Sequence, residues 1–142
     1  MFVTARDVRF TESEWAFPRH SLREVLLELR DWIDRHDEHI SFPVECRVAA
    51  ADDVWLSTAY DRETAYIAVH RYHRQQPGSY FDAFEAIATE HGGRPHWGKM
   101  HTRGADYLRE CYPRMDDFVA VRDRVDPERR FGNPYLERVL GR

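Results

Sequence analysis

The chain has 142 residues, 42% of them hydrophobic and 32% charged, with 4 Trp, 7 Tyr and 8 Phe. That is long enough for one compact domain, and the aromatic share argues against disorder, because aromatic burial offsets the entropy of ordering the chain. A formal net charge of -4 gives no electrostatic reason to expect nucleic acid as a partner, since phosphate backbones are held by concentrated Lys and Arg.

Cys46 and Cys111 are isolated thiols without CxxC spacing, which reads against a disulfide framework and for a reducing, cytoplasmic setting. No basic stretch and apolar run follows Met1, and no run of about 18 apolar residues occurs, so neither a secretory signal nor a membrane span is read. Peripheral attachment to a membrane stays open.

In chain order, residues 6–17 read as extended, with Val8 and Phe10 alternating against Arg9 and Thr11, up to Pro18. Ser21 is a helix cap with Glu24 as its capping-box partner. Leu22, Val25, Leu26, Leu29, Trp32 and Ile33 then place an apolar stripe along a helix over 22–35. Residues 42–50 read as a strand that sends Val44, Cys46 and Val48 one way and Glu45 and Arg47 the other. Residues 65–73 form a second strand, with Ile67 and Val69 on one face and Tyr66, Ala68, His70 and Tyr72 on the opposite one. Pro77-Gly78 marks a turn, and Ser79 caps a helix carrying Tyr80, Phe84, Ile87 and Ala88, stopped at Gly92-Gly93.

Residues 94–102 show no period and read as a loop. A short helix near 104–110 follows, then a helix after Pro113 with Phe118, Val121 and Val125 in phase. The last helix starts at Asn133-Pro134, a cap followed by proline at the first helical position. This order predicts an α+β domain, an antiparallel sheet with helices packed on one face and further helices at the C-terminus.

Three constellations carry chemistry. Glu45 and Arg47 project from one strand face. As a solvated ion pair they are worth about 0–1 kcal/mol; as a site wall they offer a hydroxyl acceptor and paired donors. Tyr66, His70 and Tyr72 share a face and read as cross-strand packing, or, beside residues 44–48, place His70 near Glu45 or Arg47. The third is His96-Trp97-Gly98-Lys99 with His101 beyond: Lys99 is the only lysine in the chain, set in an aperiodic loop between His and Trp where an anion or electron-rich ring would suit it. His70 with His73, or His91 with His96 and His101, are weak zinc candidates without HExxH spacing. Neither Cys has a neighbouring His, and no phosphate-cradling glycine motif occurs.

The His96-Trp97-Gly98-Lys99 run resembles the C-terminal signature of the aldonolactone oxidases, within the vanillyl-alcohol oxidase superfamily. So do Phe42-Pro43-Val44-Glu45-Cys46-Arg47, Ala51 to Ser57, Tyr112-Pro113-Arg114 through Phe118, Arg122, Asp126-Pro127, and Phe131-Gly132-Asn133-Pro134-Tyr135. Together these cover the chain from about residue 6 to Gly141.

The resemblance implies a C-terminal substrate (cap) domain of an FAD-linked oxidoreductase that oxidises a sugar-1,4-lactone or alditol. It implies Lys99 at the flavin edge, His96 flanking that edge or the substrate, Glu45 and Arg47 on the substrate hydroxyls with Arg47 polarising the one oxidised, and His70 as a further substrate-side contact. Two positions depart from the family pattern: Cys46 stands where a larger apolar residue is expected, and Arg71 sits in a strand that is usually more apolar. FAD itself would be held mainly by an N-terminal domain to which nothing in residues 1–142 corresponds, so a separate FAD-domain polypeptide is an expected partner and the chain alone is not expected to turn over. The alternative is a non-catalytic remnant or interaction domain that self-associates through an exposed apolar face.

Overall fold

The computed structural model describes residues 7–76 and 78–141. Arg6, first residue of the stretch read as extended, and Pro77, half of the turn read at Pro77-Gly78, lie outside the described residues. The elements are β1 (Phe10–Pro18), α1 (Leu22–Arg35), β2 (Glu45–Ala49), β3 (Thr64–Tyr72), α2 (Gly78–Glu90), β4 (Arg94–Pro95), α3 (Ala105–Cys111), α4 (Met115–Val125) and α5 (Pro134–Leu140).

The pairing of β1 with β3 along their whole length sets the sheet. β1 pairs antiparallel with β3 from Phe10↔Tyr72 to Pro18↔Thr64. β2 joins the other side of β3, with Glu45 opposite Ala68 and Arg47 opposite Tyr66. β4 joins β1 at Trp15↔Pro95 and Ala16↔Arg94. The order is β2-β3-β1-β4. Directly paired residues share a face, so Trp15, Phe17, Ile67 and Val69 point one way, while Glu12, Glu14, Tyr66, Ala68, His70, Glu45 and Arg47 point the other.

The first face carries the core. Its side chains meet Val25 and Leu29 of α1 and Tyr80, Phe81, Phe84 and Ala88 of α2. Each large aliphatic or aromatic side chain buried there contributes about 1.5–3 kcal/mol. Beyond the β4 edge a second core gathers Leu108, Tyr112, Met115, Val139 and Leu140, joining α3, α4 and α5. Arg94 fastens this unit to the sheet: its guanidinium donates to the carbonyls of Cys111 (2.8 Å), Thr58 (3.2 Å) and Tyr60 (2.8 Å) and lies over the Tyr112 ring. The expected α+β architecture is therefore present, and Asn133 caps α5 by accepting from the Leu136 amide at 3.0 Å.

Local details depart from the sequence reading. The chain enters α1 through a 3-10 turn, Arg19–Ser21, so Ser21 already has helical φ and ψ, is buried, and makes no side-chain cap. Ser79 falls inside α2 rather than ahead of it. The segment 94–102 is not wholly a loop, because Arg94 and Pro95 pair with β1. In β2 the presumed apolar side is open: Cys46 is exposed and Val48 is 57% exposed, as suits an edge strand with no helix over that side.

Candidate functional site

The face opposite the helices is where charge collects. Glu12 and Glu14 sit two residues apart on β1 and so point the same way. Lys99 arrives from the far side of β4. Its loop is clipped to β1 by backbone bonds at both ends, His96 N to Glu14 O and Met100 N to Glu12 O, each 2.9 Å, and by Ser13 Oγ to Met100 O at 2.8 Å. The Lys99 ammonium donates to both Glu12 Oε1 and Glu14 Oε2.

From β2, Arg47 Nη2 reaches Glu14 Oε1 at 2.6 Å, and Arg47 Nε lies 3.3 Å from Glu45 Oε1. From β3, His70 Nε2 lies 3.3 Å from Glu12 Oε1, its ring edge-on to Phe10 at 5.0 Å and tilted against Phe42 at 6.0 Å. Arg47 also stacks over Tyr66, 5.5 Å from the ring centroid.

Glu45, Arg47, His70 and Lys99, singled out from separate stretches of sequence, thus belong to one ionic network. His96 does not enter it through its side chain: the ring turns back and accepts from the Gly98 amide at 3.0 Å, while the backbone holds Lys99's loop. Trp97 faces away and packs on the second core, edge-on to Tyr112.

Glu12 and Glu14 were not foreseen. Acids alternating with Ser13 and Trp15 read as the wet face of a strand; a usable signal was the lone Lys99, which needs a counter-charge.

The network holds three carboxylates and two permanent cations. Burial weakens the charge on Lys99, but the bonds from Glu12 and Glu14 outweigh it and hold its pKa above the ordinary lysine value, so it stays an ammonium at neutral pH. Two of its three N–H donors are taken. The half-exposed Glu45 and Arg47 present an acceptor and donors at the open rim. Alternating donors and acceptors around a fixed cation suit a polyhydroxylated ligand beside an electron-rich centre.

Other readings lose ground. His73 bonds Arg9 O, His91 bonds Glu28, and His101 bonds Tyr135. Among the described residues no group of three or more His, Cys, Asp or Glu is arranged to hold a metal ion. Burial pushes both thiols up from their ordinary pKa, which opposes a thiolate nucleophile. No described helix is long and apolar enough to cross a membrane.

This charged sheet face, with helices packed on its reverse, belongs to an α+β domain. The family model described as D-arabinono-1,4-lactone oxidase matches residues 1–139, and the chain belongs to that family. It is 53% identical over 141 residues to the L-gulono-1,4-lactone dehydrogenase of Mycobacterium tuberculosis, covering 99% of this chain and 33% of that protein. It is 35% identical over 145 residues to the L-gulonolactone oxidase of Mus musculus, covering 97% and 33%. It is 32% identical over 136 residues to the alditol oxidase of a Streptomyces species, covering 91% and 31%. The chain spans about a third of the length of these relatives.

Proposed function

We propose that this chain provides the substrate-side face of an FAD-dependent oxidoreductase acting on a sugar-1,4-lactone or an alditol. The observation that carries the reading is Lys99 fixed as a cation among Glu12, Glu14 and, through Glu14, Arg47, on an open sheet face.

The residues fit one part of such a cofactor. Lys99 keeps one donor free of Glu12 and Glu14 and its positive charge, which suits the edge of a ring that becomes negative on reduction. The sequence holds no glycine-rich cradle for a pyrophosphate, so the rest of FAD would be held by a separate flavin-binding part, in this chain's family or on a partner polypeptide. A flavin bound there would supply the hydride acceptor for the substrate carbon.

The chain's own residues bind and orient. Glu45 accepts from substrate hydroxyls, Arg47 donates to the hydroxyl oxygen on the carbon being oxidised, and Lys99 would stabilise negative charge on the ring. His70, wedged between Phe10 and Phe42, presents its Nε2 edge to the same face. His96 acts through its backbone, holding the loop that aims Lys99.

The test is co-expression with the neighbouring upstream reading frame, with flavin absorbance and dye reduction measured on D-arabinono-1,4-lactone, L-gulono-1,4-lactone and alditols. Flavin-dependent turnover that disappears in Lys99→Met supports the reading. Turnover indifferent to Lys99→Met, or no flavin in the co-expressed pair, refutes it.

A further inference from the structure

Glu14 differs from every other member of the network in its burial. Its side chain is 3% exposed, against 20% for Lys99 and 51% for Arg47. It lies on β1, held between β3 and β4, and its two oxygens serve two cations: Oε2 takes Lys99 and Oε1 takes Arg47. Without the carboxylate, the ammonium and the guanidinium would be neighbouring like charges at the edge of a low-dielectric sheet, where repulsion is weakly screened. Glu12 stands in the same relation to Lys99 and His70, its Oε1 reaching both.

We infer that Glu14 is the positioning residue of this face, the buried carboxylate that sets Lys99 and Arg47 at one spacing, with Glu12 coupling Lys99 to His70. The inference rests on the reading of this face as a substrate site. The backbone clips from His96 and Met100 to β1 do not involve the Glu14 side chain, so the loop keeps its path when that side chain is neutralised. Losing Glu14 then changes the proton affinity and aim of Lys99 more than it changes the fold. Lys99 bonds Glu12 and Glu14 from β1; Arg47 of β2 reaches it through Glu14, Glu45 through Arg47, and His70 of β3 through Glu12, while Asp82, Glu85, His101 and Arg138 line the pocket beside its loop.

Lys99 is the only lysine, so it is the one side-chain amine that an amine reagent reads. The full chain is acetylated competitively at neutral pH, its α-amino group serves as the internal reference, and mass spectrometry follows the rate at Lys99. An opposite charge at this range is worth at least about one pKa unit. Glu14→Gln is therefore expected to speed modification about tenfold or more, and Glu14→Asp to recover part of the slow rate. Ser13→Ala loosens the same loop without removing charge and is expected to leave the rate within about twofold.

If Glu14→Gln does not fold, Arg47→Met gives the second reading: removing the competing cation leaves Glu14 to Lys99 and slows modification severalfold. A Lys99 rate unchanged in Glu14→Gln, or in Arg47→Met, or raised equally in Ser13→Ala, overturns the inference. Neither flavin nor turnover is needed, so such a result strikes the role of Glu14 alone, whereas the co-expression experiment strikes the functional reading.

Discussion

Acid should unfold this domain partly through His101. Its Nε2 lies 2.9 Å from the Tyr135 hydroxyl, and that hydroxyl donates to Trp97 O at 2.6 Å. Tyr135 therefore has no proton left for His101, and Nε2 must be the donor of the pair. The other nitrogen, Nδ1, is buried without a hydrogen-bond partner. Protonation would add an N–H at Nδ1 with nothing to receive it, beside Arg138 and Arg103. Burial first, and the repulsion of Arg138 next, lower the His101 pKa to about 4 from an ordinary 6.5.

The folded value lies below the unfolded one, so the stabilisation is fully present above about pH 6.5 and is lost as pH falls through about 4. At about 1.4 kcal/mol per pKa unit the ceiling is about 3 kcal/mol; with the ring partly reached by solvent, about 2 kcal/mol is expected. Gln at 101 can donate to Tyr135 and does not titrate. Urea unfolding of wild type and His101→Gln across this range isolates the residue, because every other group titrates in both. Wild type should lose about 2 kcal/mol more than the variant. Parallel curves would refute the assignment of Nδ1 as an orphaned, proton-averse nitrogen.

Arg94→Met leaves the carbonyls of Cys111, Thr58 and Tyr60 without their shared donor and is expected to cost about 2–4 kcal/mol in urea unfolding, with faster amide exchange in residues 52–60. Gly93→Ala would put a Cβ 2.6 Å from Ala88 O and 3.0 Å from the Trp15 ring, so the turn after α2 must move. A loss of about 2 kcal/mol or more is expected in the same assay, and a neutral result would show that the turn has room. Lys99→Met should reduce flavin-dependent turnover of the co-expressed pair by about 10²–10³-fold while far-UV circular dichroism stays native.

Much of the fold is legible in the sequence because its signals are local. Leu22, Val25, Leu26, Leu29, Trp32 and Ile33 mark the apolar stripe of α1 wherever the helix ends up, and Ile67 with Val69 mark the core side of β3 in any pairing. Asn133-Pro134 specifies the start of α5 through bonds made within one turn. Two residues apart on a strand, Glu45 and Arg47 must share a face. The Ser21 cap failed because the preceding 3-10 turn, with its first amide bonded to Glu63 O, had already brought the chain into helical geometry; that bond is tertiary.

The centre of the candidate site could come only from the packed structure. Glu12 and Glu14 carry no sequence mark that separates them from an ordinary wet strand face, since a carboxylate becomes a buried counter-ion only when a cation is delivered to it. Here Lys99 comes from 85 residues beyond Glu14 and Arg47 from the far side of β3. Strand order β2-β3-β1-β4 is what sets those groups side by side, because charges so distant in sequence meet only through the register of the sheet.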